Sequence, residues 1–128
     1  MIRVLLDADC AIYATTGQVP VLRQRLADCA PGEVGLSAVS YAEIVLGMEL
    51  GKPPTPEALA ALVEVVPVLP FDVVAARSYA RLPFKRASFD RLLAAHALSI
   101  GAVVVTNNEG DFADVPLLVV ENWTEGME

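Results

Sequence analysis

Residues 88–106 read SFDRLLAAHALSIGAVVVT, and this stretch decides the fold. Ser88 is a good N-cap, and apolar residues then recur at helical period as far as Ile100, where Gly101 closes the helix. Ala102 to Thr106 follows at once as an apolar, β-branched run, the signature of a buried strand. A helix feeding a fully apolar strand is the repeating unit of a parallel sheet covered on both faces.

The same alternation extends in both directions. Ile2 to Leu6, Val34 to Leu36, Val66 to Leu69 and Leu117 to Val120 read as further strands. Helices are expected over Val19–Ala30, stopped by Pro31-Gly32, and over Ala38–Leu50, stopped by Gly51. Thr55 and Pro56 open another over Pro56–Glu64, and Asp72 caps one over Asp72–Leu82. Five strands interleaved with helices predict an open, doubly wound α/β sheet. At 128 residues the chain is expected to be one domain, residues 1–128, with no repeat or linker.

Composition supports a folded core. Apolar residues make up 55% and charged residues 20%, which is incompatible with a disordered chain. The mean hydropathy is +0.50, yet the most apolar stretch, Leu59 to Ala76, is interrupted by Glu64, Pro67, Pro70 and Asp72. No membrane segment is expected. The start MIRVLLDAD lacks the pattern of a signal peptide. Cys10 and Cys29 have neither metal-ligand nor CxxC spacing and fit a reducing compartment. A cytoplasmic protein is the expectation. The net charge of −7, from 16 acids and 9 bases, argues against a general electrostatic nucleic-acid binder. Any contact with nucleic acid must be local or run through a cation.

In doubly wound sheets, functional groups gather beyond the carboxyl ends of the strands. Asp7 follows the first strand, and Asn107, Asn108 and Asp111 follow the fourth. Glu43 and Asp90 lie on helices that begin near that edge. Each acid has an ordinary explanation: Asp7 as a turn cap, Glu43 in a capping box with Ser40, Asp90 at a helix start, Asp111 in a turn. Taken together they point to chemistry. Two like charges about 4 Å apart repel by roughly 4 kcal/mol at an effective dielectric of about 20. A pocket of three or four acids therefore needs raised pKa values or a divalent cation. Oxygen donors without His or Cys favour Mg²⁺ or Mn²⁺, which activate water and polarise phosphoryl oxygens. No nucleophile elbow, HExxH helix or phosphate-cradling glycine loop competes with this reading. Arg77, Arg81, Lys85, Arg86 and Arg91 place five of the nine bases in one window whose only acid is Asp90, which suits a polyanionic substrate. His96, six residues after Asp90, is turned by about 240° from it and is expected to pack in the core.

Three segments in order resemble the PIN-domain ribonucleases, and among them the VapC-type toxins of toxin–antitoxin pairs. They are VLLDADCAIY, LSAVSYAEIVLGMELG and FDRLLAAHALSIGAVVVTNNEGDFADVPLLVVENW. The resemblance implies a three-layer α/β/α PIN-like domain around a mostly parallel five-stranded sheet. It also implies RNA phosphodiester hydrolysis by a metal-activated water. Asp7 and Asp90 would be metal ligands, with Glu43 and Asp111 completing the site and Thr106 and Asn107 positioning ligands or the scissile phosphate. It further implies a homodimer and an antitoxin partner of the VapB kind, whose tail covers a groove between early helices. Three departures stand out. Asp9 occupies a place where relatives usually carry Asn. Asn108 stands where some relatives carry the fourth acid. The stretch from Tyr79 to Asp90 is short. The competing architectures are a receiver domain and a haloacid-dehalogenase phosphatase, matched by Asp7-Ala8-Asp9, but both need a lysine that neither Lys52 nor Lys85 supplies. An inactive PIN-like module that only binds a protein is the non-enzymatic alternative.

Overall fold

The computed structural model describes residues 1–85 and 88–125. Five parallel strands form one sheet: β1 (Val4–Leu6), β2 (Val34–Ser37), β3 (Val68–Leu69), β4 (Val103–Val105) and β5 (Val120–Glu121). Their spatial order is β3-β2-β1-β4-β5. Val4 and Leu6 register with Val34 and Leu36 on one side and with Val103 and Val105 on the other. The chain thus winds outward from β1 to β3, crosses back, and winds outward again through β4 and β5. The reversal falls between β1 and β4, where the carboxyl ends of parallel strands open a crevice.

The alternation of side chains along β1 divides the core in two. Val4 and Leu6 pack with Leu22, Ile44, Leu59 and Leu62. These residues belong to α2 (Pro20–Ala27), α3 (Ala38–Glu49) and α4 (Pro56–Val65). Leu5 points the other way and packs with Leu93, Ala94 and Ala97 of α6 (Phe89–Ile100), which lies against α5 (Val73–Tyr79). The layers are therefore helix, sheet, helix, as the apolar strands predict.

Several details differ from the sequence expectations, among them the start of β3 at Val68, because Val66 is the C-cap of α4, and the end of α2 at Ala27. A first helix, α1 (Ala8–Thr16), immediately follows Asp7 and ends at Gly17, whose φ of 72° is the left-handed conformation of a helix C-terminus. The expected strand Leu117–Val120 starts later, because Leu117 has a φ of 68° and is 94% exposed. The expected helix Asp72–Leu82 stops at Tyr79, and residues 80–82 form tight turns ahead of Pro83, which disfavours helix in the residue before it.

Candidate active site

Asp7 is fixed by both its backbone and its side chain. Its N–H donates to the Val105 carbonyl at 2.9 Å, extending the β1–β4 ladder by one residue. Its Oδ1 accepts from the Cys10 N–H at 2.8 Å, capping α1. The capping role and the site role are thus the same placement: the cap bond orients the carboxylate over the carboxyl edge of the sheet. Asp7 is buried, and burial raises its pKa, opposed by hydrogen bonds from Thr106 and Cys10. Thr106, itself buried, also accepts from the Asn108 N–H through Oγ1 at 3.0 Å, which pins the loop after β4.

Glu43 reaches the site from the middle of α3. That helix starts at Ala38 with Ser37 as its N-cap, so Glu43 is not the acid of a capping box with Ser40. Asp90 lies in the first turn of α6, behind the Ser88 cap, whose Oγ accepts from the Arg91 N–H at 3.1 Å. Asp111 lies in the 3₁₀ turn Glu109–Phe112 that follows β4. The structure brings these groups together. Asp7, Asp9, Glu43, Asp90 and Asp111 line one cavity of about 180 Å³ with Asn107 and Asn108.

The electrostatics follow from that crowding. Burial and then the Asp90 and Asp9 charges push Glu43 up to about 7. Burial and then Asp111, which lies within hydrogen-bonding reach, push Asp90 up to about 6, and Lys85 opposes this. Burial first, and then the neighbouring carboxylates, favour the protonated forms of Glu43 and Asp90. The donor set is hard oxygen throughout, with no imidazole or thiolate on the cavity wall. Among the described residues, no three His, Cys, Asp or Glu side chains already close on a common point that would hold an ion.

The cationic residues divide. Arg77, Arg81 and Lys85 are exposed, and Lys85 lies near enough to Asp90 and Asp114 to influence both. Arg86 lies outside the described residues. Arg91 departs from the expectation of a substrate-facing cation. Its side chain is only 2% exposed and is tied at 2.9 Å to Asp114. It sits on the inward stripe of α6 with Ala94 and Ala95, so its charge supports the fold and does not reach solvent. His96 is buried as expected, with Nδ1 2.7 Å from the Ser37 Oγ and its ring edge-on to Phe71.

Tyr13 is a site neighbour that sequence reasoning did not single out. Its hydroxyl accepts from the Asn107 Nδ2 at 3.1 Å, across the mouth of the crevice. The signal that would have found it is the pair Asp7 and Gly17, an N-cap and a C-terminal glycine that bracket one helix.

Comparison with known proteins places this arrangement. The tRNA(fMet)-specific endonuclease VapC of Shigella flexneri is 29% identical over 135 residues, covering 97% of this chain and 100% of that protein. The DNA-bound VapBC of Salmonella typhimurium superposes with a TM-score of 0.78 at 28% identity, over 96% of this chain and 99% of that one. VapBC2 of Rickettsia felis, bound to a DNA fragment from its promoter, gives the same TM-score of 0.78 at 24% identity, over 96% and 99% of the two chains, which supports the fold. The PIN domain matches residues 4–118, a span that contains Asp7, Glu43, Asp90 and Asp111, and the chain belongs to the PIN domain family.

Proposed function

We propose that this protein is a divalent-cation-dependent endoribonuclease and the toxin of a type II toxin–antitoxin pair. One observation carries the reading: acids from positions 7, 43, 90 and 111, which repel one another, nevertheless meet in one cavity at the sheet's switch point. Relatives of nearly full length are named tRNA(fMet)-specific endonucleases, which supports RNA as the substrate class.

The donor chemistry fits Mg²⁺ or Mn²⁺. Asp7 and Asp90 would hold the ion, with Glu43 and Asp111 beside them and Asp9 at the rim. Bound there, the cation supplies an activated water and polarises the phosphoryl oxygens. The chain's own residues prepare the place. Thr106 and the Cys10 N–H aim the Asp7 carboxylate, and the Asn107 amide, oriented by Tyr13, offers a polar contact for the scissile phosphate. Asp90, half-buried and facing Asp111, holds its proton more tightly than an ordinary carboxyl until a counter-charge arrives. Arg77, Arg81 and Lys85 give the RNA backbone a cationic approach to an otherwise acidic molecule.

An apolar groove lined by Ile12, Leu46, Leu50 and Phe89 continues from the pocket and shares Asp9 and Glu43 with it. It is the surface a VapB-like antitoxin would cover, and a homodimer completes the expected assembly. No helix among the described residues is long and apolar enough to cross a membrane.

Purified protein incubated with total cellular RNA, and separately with initiator tRNA, tests the reading. Cleavage is expected with Mg²⁺ or Mn²⁺ and lost in EDTA, and Asp7→Asn or Asp90→Asn should reduce it on the order of 100-fold or more. Cleavage that persists in EDTA, or that both variants retain, defeats the mechanism.

A further inference from the structure

The helices that bring Glu43 and Asp90 into the pocket are joined by one buried polar contact. Ser37 is the N-cap of α3 and lies six residues before Glu43; His96 lies on α6, six residues after Asp90. Their side chains meet at 2.7 Å, Oγ to Nδ1, and both residues are buried. The two helices are therefore matched head to tail. The start of α3 meets the middle of α6, and the middle of α3 meets the start of α6. Six residues of helix span about 9 Å, so the contact lies roughly two turns from each carboxylate.

The Ser37 hydroxyl has a second task. It accepts from the Val39 N–H at 3.1 Å, so the group that starts α3 is also the group that holds it to α6. The ring is steadied in turn by the edge of Phe71, and Asp72 lies nearby. At the other end of the matched segment, Glu43 and Asp90 repel each other. Nothing in that pair draws the helices together. Their separation is set by packing on the sheet and by the direct α3–α6 contact, and among the described residues the Ser37–His96 bond is the buried side-chain hydrogen bond that links the two.

We infer that Ser37 and His96 are positioning residues: their hydrogen bond sets the separation of α3 and α6, and through it the spacing of Glu43 and Asp90. The inference rests on the nuclease reading of that pocket. It assigns neither residue a contact with RNA or cation. Their effect is to hold two like charges at a working distance against repulsion.

The test uses isosteres in the full-length chain. Asn places a polar atom where His carries Nδ1, and Gln places one where His carries Nε2. Mn²⁺ binding is measured by calorimetry, with RNA cleavage and thermal melting measured alongside. His96→Asn should keep Mn²⁺ affinity and kcat within about threefold of wild type. His96→Gln should weaken Mn²⁺ binding and lower kcat about tenfold, with little change in KM for RNA. Ser37→Thr against Ser37→Ala runs the same comparison from the other side, should the His96 variants fail to fold. Equal behaviour of Asn and Gln, or of Thr and Ala, among folded variants would reduce the pair to packing and overturn the inference. Wild-type protein that binds Mn²⁺ but cuts no RNA would sink the nuclease reading and the inference built on it. Wild-type cleavage with insensitive isosteres would sink the inference alone.

Discussion

Replacing Glu43 by Gln should make the protein more stable when no divalent cation is present. Folding carries this carboxyl from an ordinary value of 4.5 to about 7. At about 1.4 kcal/mol per pH unit, keeping it ionised in the folded state costs about 3 kcal/mol. The side chain is only half-buried, so solvent screening reduces that to about 1–2 kcal/mol. Gln keeps the size and removes the charge. For a chain of 128 residues, 1 kcal/mol moves the melting temperature by roughly 3–6 °C, so Glu43→Gln should melt roughly 3–12 °C above wild type in EDTA at about pH 8. The sign reverses the usual carboxylate case. A raised folded pKa means stability that is present below about 4.5 and lost as pH rises towards about 7. The advantage of the variant should therefore fade as pH drops below about 4, where wild-type Glu43 becomes protonated in both states. Saturating Mg²⁺ should shrink it as well, because wild type gains more from binding. Scanning calorimetry across pH, with and without Mg²⁺, measures both trends. A variant that melts no higher than wild type in EDTA, or whose gain ignores pH, would refute the claim that this pocket stores repulsion.

Further outcomes follow from the same geometry. Mn²⁺ affinity should fall at least about tenfold between about pH 7.5 and about pH 5, as Glu43 and Asp90 take up protons, and binding at pH 6.5 should release protons detectable by calorimetry in buffers of different ionisation heat. Arg91→Ala should lower stability by about 2 kcal/mol or more while leaving KM for RNA near wild type, because the guanidinium is buried and paired with Asp114; a raised KM in a stable variant would return Arg91 to the substrate surface. Trp123→Ala should cost about 3–5 kcal/mol, since the indole is 2% exposed, donates to the Glu121 carboxylate and carries Arg25 over its ring; chemical denaturation would show it.

Much of the site was legible in the sequence because it is written in strand ends. Asp7 and Asp111 follow β1 and β4, the strands that flank the reversal of the sheet, so recognising the strands was enough to bring them together. Asp90 was legible through the Ser88 cap, and Glu43 through the helix expected over Ala38–Leu50. The first helix was not, because ADCAIYATT mixes β-branched, aromatic and small residues without a clear stripe, and its tertiary neighbours override its weak propensity. Missing that helix also hid Tyr13. The cationic window misled for a different reason. Counting charges over residues 77–91 ignores helical phase, and Arg91 falls on the same face as Ala94 and Ala95. The late start of β5 was invisible because only coordinates reveal the left-handed turn at Leu117.

The acids of the pocket are spread from position 7 to position 111, with both helical layers and the two central strands needed to bring them into register. No amino-terminal piece of the chain owns the site. The cavity wall that begins at Asp7 is closed only by the turn that carries Asp111. If the protein cuts RNA as proposed, any piece of it that stops short of residue 111 carries an unfinished pocket.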